Sequence, residues 1–241
     1  MPRPPGRSAA AAGIPLLLFG LLTALLAVHG WGPYPVESAL HSWAVAHRPA
    51  WAVHIADAVT DLGTGLPPYL AAVAAGVLLA RRAARPEGRA AWVAWIARAL
   101  APLAVLALGQ LVRHGLMSAF GRPRPPMADW VAASPSGYAY PSGHSFTAAV
   151  AAGVLAWAIL RGARRPWTVP VAGVLGLAAV AVGLTRVYLG VHWPFDVVGG
   201  WLLAAFWLGL TLPMAALIGR PPSVGRTGGA PVEPDSGGPR R

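Results

Sequence analysis

Residues 141–160 read PSGHSFTAAVAAGVLAWAIL, a short polar start followed by a long apolar run. A helix of about 20 mostly apolar residues is long enough to cross a lipid bilayer. Ser142 lies directly before the apolar run and suits the N-cap position of such a helix. This stretch therefore predicts a membrane span over residues 142–160, with Gly143 and His144 in its first turn.

The composition of the whole chain also indicates a membrane protein. Of its 241 residues, 56% are hydrophobic and 11% are charged, whereas soluble domains carry about 25% charged residues. All 19 basic residues are arginine, and the net charge is +11. The arginines lie in short clusters between apolar runs and not along a basic helix, so we expect no nucleic-acid partner. The absence of cysteine excludes disulfides and thiolate metal sites.

Six apolar stretches predict an all-α integral membrane protein built as a six-helix transmembrane bundle. The spans are predicted at residues 13–31, 63–80, 92–117, 142–160, 168–184 and 194–218. They define one domain over residues 13–218, after a short N-terminal segment at residues 1–12. Residues 219–241 are rich in proline, glycine and charge, which predicts a disordered tail.

The placement of the arginines predicts how the bundle is oriented. Thirteen arginines fall on one set of loops and at both ends of the chain, while the other loops hold only Arg48, Arg122, Arg124 and Arg186. Cytoplasmic loops carry the excess of basic residues. We therefore expect a plasma-membrane protein with both termini in the cytoplasm and with loops 32–62, 118–141 and 185–193 outside the cell.

The first of these outer loops has apolar residues at helical spacing, which predicts one or two helices at the membrane surface. It also contains His54, Asp57 and Asp61, each one helical turn from the next. A weak metal site is conceivable here, but helix capping and solvated faces account for these residues better. We therefore predict no metal ion and no cofactor.

The segment GRPRPP at residues 121–126 is the first of three polar clusters beside the predicted spans. Proline restricts the residue before it to extended backbone, so Arg122 and Arg124 are held on a stiff segment. The planar guanidinium matches phosphate oxygens and keeps its charge at physiological pH. The alternative is that these arginines only reach lipid headgroups.

The second cluster is PSGH at residues 141–144. The free amides of Ser142, Gly143 and His144 at a helix start would bind an anion, and Gly143 allows close approach of the backbone. The alternative is a plain capped helix with a histidine at the membrane interface.

The third cluster is TRVYLGVHWPFD at residues 185–196. Pro194 suits the first position of a helix, which puts Asp196 in the first turn, where its negative charge is stabilised. Asp196 could bond one ring nitrogen of His192 and leave the other as a nucleophilic lone pair, with Arg186 nearby. The alternative is that Asp196 only caps the helix and His192 fills the interface.

Together these clusters resemble the signature of the type 2 phosphatidic acid phosphatase superfamily, the lipid phosphate phosphatases related to vanadium haloperoxidases. The family pattern is Lys-x6-Arg-Pro, then Pro-Ser-Gly-His, then Ser-Arg-x5-His-x3-Asp. This sequence has MSAFGRPRP at residues 117–125, PSGH at 141–144 and TRVYLGVHWPFD at 185–196. It departs from the pattern at Thr185, which keeps a hydroxyl, and at Met117, which replaces the lysine.

The resemblance implies a six-span fold with its active site at the extracytoplasmic face of the membrane. It further implies a metal-independent reaction in which His192 attacks phosphorus and Asp196 orients it. His144 would protonate the leaving oxygen and then activate water. The implied phosphate-binding residues are Arg124, Arg186, Ser142 and Gly143.

Met117 raises the question of what replaces the charge of the family lysine. Arg113 lies one helical turn earlier, but helical side chains lean toward the N-terminus, so we expect it to point away from the site. Arg122 lies two residues before Arg124, and we predict that it joins the phosphate-binding residues. The remaining alternative is a site with weakened activity or altered specificity.

The predicted function is hydrolysis of a lipid phosphate monoester or diphosphate, with a polyprenyl diphosphate, phosphatidate or phosphatidylglycerol phosphate as possible substrates. A lipid phosphotransferase with the same phosphohistidine intermediate is the first alternative, and a non-catalytic lipid-binding membrane protein is the second. The partners expected are the lipid substrate and the bilayer.

Overall fold

The computed structural model describes residues 5–83, 85–132, 137–162 and 165–218, and it has no β-strand within them. Eight α-helices follow one another along the chain. They are α1 (Pro5–Val28), α2 (Pro35–Ala46), α3 (Ala50–Thr60), α4 (Leu66–Arg81), α5 (Arg89–Phe120), α6 (Gly143–Leu160), α7 (Thr168–Tyr188) and α8 (Pro194–Ile218). Short 3-10 turns lie at Asp61–Gly63 and Met127–Asp129. The predicted all-helical architecture is confirmed.

Five of these helices, namely α1, α5, α6, α7 and α8, are long and apolar enough to cross a membrane. Helix α4 has only 16 residues, fewer than the roughly 20 that a span needs. Together with α3 and the intervening turn it passes the same test, but the pair bends by 44° at the break. Counting this broken pair as one span gives six, the number that the sequence predicts.

Some element boundaries differ from the sequence-based prediction. Helix α1 begins at Pro5 and therefore includes much of the segment predicted at residues 1–12. The first predicted outer loop forms two helices, α2 and α3, which agrees with the one or two helices that its apolar spacing predicted. The predicted disordered tail, residues 219–241, lies outside the described residues.

Helix α6 lies at the centre of the bundle and packs against α4, α7 and α8. Half of its apolar window is buried, against 11–28% for the other four long helices. Phe146, Val150, Val154 and Ala158 recur every fourth residue and are buried in the main core, as expected for one helical face. The polar residues at the start of α6 are thus held by a well-packed helix.

Two glycines let α8 approach the start of α6. A methyl group at Gly200 would lie 2.8 Å from the Ser142 carbonyl oxygen, and one at Gly199 would collide with the Tyr140 ring. Small residues on α8 thus permit the close approach of the two helices. As a result, the Ser142 amide donates a hydrogen bond of 3.0 Å to the Asp196 carbonyl.

Arginines gather at the opposite end of the bundle. Arg82, Arg85, Arg98 and Arg161 line a cavity of about 670 Å³ there, together with tryptophans and one glutamate. The end that carries PSGH and the end that carries this arginine cluster are therefore chemically different.

Candidate active site

The three polar clusters of the sequence meet at one end of the bundle. The first lies in the loop after α5, the second at the start of α6, and the third runs from the end of α7 into the first turn of α8. His192 of the third cluster is only 1% exposed, Arg124 of the first cluster contacts its ring, and His144 of the second cluster lies near enough to interact with it electrostatically.

The hydrogen bonds of His192 determine which ring nitrogen carries the proton. Nη1 of Arg124 lies 2.9 Å from Nε2 of His192, and a guanidinium can only donate. Nε2 is therefore the acceptor and holds the lone pair, so the proton of the neutral ring is on Nδ1. That nitrogen faces Oδ2 of Asp196 at 3.4 Å. This is the tautomer that nucleophilic attack through Nε2 requires.

The surroundings of His192 also favour its neutral form. Burial lowers the pKa of His192 well below its ordinary value, and the positive charges of Arg124, Arg186 and Arg113 lower it further. A protonated ring would have no lone pair for attack. The lowered pKa therefore keeps the Nε2 lone pair available at neutral pH.

Asp196 is fixed on both of its carboxylate oxygens. Oδ1 accepts a hydrogen bond of 2.6 Å from Arg122, and Oδ2 accepts one of 2.8 Å from the backbone amide of Trp193. The side chain is completely buried. Because neither oxygen can rotate freely, Asp196 is held in position facing His192.

Arg122 lies between two buried carboxylates. Its guanidinium is completely buried and donates to Asp196 and, at 2.7 Å, to Glu37. It also donates to the carbonyls of Trp31 and Gly32. Burial alone would lower the pKa of Arg122, but the two carboxylates outweigh it and the net shift is upward. Its donors face acceptors of the protein in this structure, and its role in binding phosphate stays a prediction.

Glu37 is a residue of the site region that the sequence analysis missed. Besides Arg122, its carboxylate accepts the backbone amides of Tyr34 and Phe195, each at 3.0 Å. It thereby connects the start of α2 to the start of α8, next to Asp196. The signal in the sequence was that Glu37 is an acidic residue in a largely apolar loop. That signal does not indicate its distant partner, Arg122.

Arg124 contacts the His192 ring, and Arg186 lies near enough to act on it electrostatically. Arg124 also donates to the Val191 carbonyl at 2.7 Å. Burial lowers the pKa of Arg124 to about 10, so it stays positively charged at neutral pH. Arg186 is 2% exposed and donates to Oγ1 of Thr60 at 3.0 Å. Among the described residues its buried Nε has no hydrogen-bond partner.

The start of α6 is only partly free to bind an anion. The amide of Ser142 is bonded to the Asp196 carbonyl, so it is not one of the free amides that we expected. Its hydroxyl accepts from Ser145 at 3.0 Å and keeps its own proton for another acceptor. Gly143 and His144 supply the first-turn amides, which have no acceptor inside a helix.

Arg113 also departs from the prediction. A methyl group added at Gly143 would lie 3.3 Å from the guanidinium carbon of Arg113, so this side chain reaches the start of α6. Nη1 of Arg113 lies 3.2 Å from the sulfur of Met117, one turn further along α5. The N-terminal lean applies to the Cα–Cβ bond, and the rest of this long side chain turns back along the helix.

The outer-loop cluster of His54, Asp57 and Asp61 does not assemble into a metal site. Within the described ranges, no three His, Cys, Asp or Glu side chains are placed to hold a metal ion together. Asp57 and Asp61 instead lie near enough to Arg186 to offset part of its charge.

Comparisons with known proteins agree on one family. A sequence model of the PAP2 superfamily matches residues 98–219. Phosphatidylglycerophosphatase B of Bacillus subtilis is 31% identical over 197 residues, which cover 79% of this chain and 88% of that protein. An undecaprenyl-diphosphatase of Sulfolobus acidocaldarius is 41% identical over 73 residues, or 30% of this chain and 31% of that protein.

A solved structure is similar over nearly the whole fold. It is the crystal structure of a transmembrane PAP2-type phosphatidylglycerolphosphate phosphatase from Bacillus subtilis, with a TM-score of 0.69 and 26% sequence identity. The match covers 88% of this chain and 98% of that chain.

Proposed function

The chain belongs to the PAP2 superfamily and is a phosphoric ester hydrolase of lipid phosphates, and we propose that it acts through a phosphohistidine on His192. The observation that carries this mechanism is the environment of the His192 ring. Its Nε2 is an acceptor beside Arg124, and its Nδ1 proton faces Asp196. An imidazole held in this way combines a lone pair, a cation beside that lone pair and an anion behind the ring.

In the first step, Nε2 of His192 attacks the terminal phosphorus of the lipid. The P–N bond forms as the P–O bond to the lipid breaks, and His144 gives its proton to the leaving oxygen. Asp196 stabilises the positive charge that develops on the ring. The guanidinium of Arg124, which contacts Nε2 here, moves onto a phosphate oxygen when the substrate enters.

In the second step, His144 takes a proton from water, and the water oxygen attacks the phosphorus. The P–N bond breaks, inorganic phosphate leaves and the neutral ring of His192 is restored. Arg124, Arg186, the Ser142 hydroxyl and the Gly143 amide bind the phosphate oxygens in both steps and stabilise their growing charge.

The proposed substrates are lipids that end in a phosphate monoester or a diphosphate. The two named relatives are a phosphatidylglycerophosphatase and an undecaprenyl-diphosphatase, and in both cases a terminal phosphoryl group is transferred to water. We propose that phosphatidylglycerol phosphate is the first substrate to test, because that relative matches most of the chain. The site is proposed to face outward, where the loops carry few arginines.

The test is phosphate release by the purified protein in detergent with EDTA, using phosphatidylglycerol phosphate, phosphatidate and undecaprenyl diphosphate. We expect turnover of at least one lipid in EDTA. His192→Ala should abolish it, and rapid acid-free quenching of the wild-type reaction should trap phosphate on the protein.

Two results would reject the mechanism. Undiminished turnover by His192→Ala would exclude this residue as the nucleophile, and turnover that needs added metal would exclude a metal-independent reaction. Inclusion of a lipid alcohol in the same assay detects phosphate transfer to an acceptor other than water.

A further inference from the structure

We propose that Arg113 is a further phosphate-binding residue of this site and supplies the positive charge that Met117 cannot. This inference rests on the proposed function of the site. The sequence pattern places no functional residue at this position, and the residue emerges only from the packing of α5 against the start of α6.

The position of the Arg113 guanidinium is the first support. It lies beside Gly143, where a methyl group would be 3.3 Å from its central carbon and from Nη1. The first-turn amides of α6 have no acceptor inside the helix and favour an anion at the same helix start. A phosphate bound at this helix start would therefore lie within reach of both the amides and the guanidinium.

The hydrogen bonding of Arg113 is the second support. Its Nε is buried and has no hydrogen-bond partner among the described residues, whereas buried donors in proteins are normally satisfied. Among the described residues, Nη1 has the Met117 thioether as its acceptor, and sulfur of this kind is a weak acceptor. A phosphate oxygen would provide the strong acceptor that this guanidinium lacks.

The distribution of charge around His192 is the third support. Arg113, Arg124 and Arg186 all act electrostatically on this histidine, and Arg113 also acts on Arg124. Asp196, the carboxylate that acts on Arg124, is already bonded to Arg122, and Asp57 and Asp61 offset only part of the charge of Arg186. Three neighbouring cations repel one another, and a doubly charged phosphate between them would remove that repulsion.

Met117 acts as a positioning residue for Arg113. The Met117 side chain is 4% exposed. Its sulfur lies 3.2 Å from Nη1 of Arg113, which is one helical turn earlier on α5. Met117 occupies the position of the family lysine but carries no charge. It contacts the Arg113 side chain, which reaches the same region from the preceding helical turn.

The test compares Arg113→Gln with Arg98→Gln, a matched change on the same helix at the opposite end of the bundle. We expect Arg113→Gln to lower kcat/KM about 100-fold, as is typical for loss of one donor to a transition-state oxyanion. It should also weaken inhibition by vanadate, which binds as a phosphate analogue. Arg98→Gln should change neither kcat/KM nor vanadate inhibition, and Arg113→Gln should keep the thermal unfolding midpoint of the wild type.

A charge-relocation variant keeps the proposal testable if Arg113→Gln alone folds poorly. Arg113→Gln combined with Met117→Lys moves the cation to the position of the family lysine and should recover most of the lost kcat/KM. A folded double variant without recovery, or a single Arg113→Gln variant with wild-type kcat/KM, would overturn the inference. A wild-type protein that hydrolyses no lipid phosphate and binds no vanadate would instead reject the proposed function.

Discussion

Arg122 and Arg124 are two residues apart in one Arg-Pro repeat, yet they contact different partners. Arg122 is enclosed by Glu37 and Asp196, while Arg124 contacts the lone-pair nitrogen of His192. The sequence presents them as equivalent phosphate-binding candidates. The structure separates them into a buried residue that holds the Asp196 carboxylate in place and a residue that lies at the proposed phosphate position.

The buried Glu37–Arg122–Asp196 network predicts a large loss of stability when its central cation is removed. Arg122→Leu leaves two buried carboxylates without their partner, and breaking such a pair typically costs about 3–5 kcal/mol. We expect a clear drop in the thermal unfolding midpoint in detergent. Arg122→Leu combined with Glu37→Gln should recover part of it, because one of the uncompensated charges is gone. An Arg122→Leu variant that is as stable as the wild type would contradict the stabilising role of this network.

The neutral state of His192 can be measured directly. Because the pKa of this histidine is lowered in the folded protein, its ring should stay neutral below the ordinary histidine value of about 6.5. Carbon-13 spectra of histidine-labelled protein should show no titration of this ring between pH 8 and pH 5.5. Arg124→Gln removes one neighbouring cation and should raise the pKa. A wild-type ring that titrates near 6.5 would contradict the proposed environment.

The same shift has a consequence for stability. The unfolded chain takes up a proton at His192 near pH 6.5, whereas the folded protein does so only at lower pH. The contribution of His192 therefore destabilises the fold progressively as the pH falls below about 6.5.

At the scale of the helices, the contact between α6 and α8 decides whether the site is assembled. The start of α8 brings Asp196, and the start of α6 brings Ser142, Gly143 and His144. Their approach depends on Gly200, where an added methyl group would lie 2.8 Å from the Ser142 carbonyl and 2.9 Å from Ser145.

Gly200→Val is therefore expected to lower both stability and turnover. The larger side chain pushes the two helix starts apart, and overpacking of this kind typically costs about 1–3 kcal/mol. Phosphate release and the thermal unfolding midpoint should both fall. Gly176→Val on α7 is the matched control, because a methyl group there meets nothing within 4 Å. Equal effects of the two changes would show that helix propensity, and not packing, is responsible.

The sequence predicted the long helices but not that α3 and α4 form one bent element. Long apolar runs identified α1, α5, α6, α7 and α8, because span length follows directly from the thickness of the bilayer. The join between α3 and α4 was not predicted. Residues 50–63 carry enough polar side chains to resemble a surface loop. In the structure they continue into α4 with a bend of 44° and form one broken element with it.

At the scale of the whole molecule, charge predicts orientation. The cavity with four arginines lies at the opposite end from His192, and arginines favour the cytoplasmic side. The end with the proposed active site should therefore face outward. The chain has no cysteine, so a single introduced cysteine reports its side of the membrane without background.

Ala128→Cys, in the 3-10 turn beside the site, and Glu87→Cys, at the arginine-lined cavity, provide this test. On intact cells, a maleimide that cannot cross membranes should label Ala128→Cys and should label Glu87→Cys only after the cells are opened. The reverse pattern would show that the proposed active site faces the cytoplasm.

The sequence by itself determined the all-helical membrane architecture and the family, and the comparisons confirm both. Span length and motif spacing are local properties, so they can be read along the chain. The protein partners of Arg122 were not predicted and the direction of Arg113 was predicted wrongly, because each depends on residues far away in the sequence. Arg122 meets Glu37 across 85 positions, and Arg113 reaches Gly143 across a loop. Only the tertiary structure decides which cations are paired with carboxylates and which remain for a phosphate.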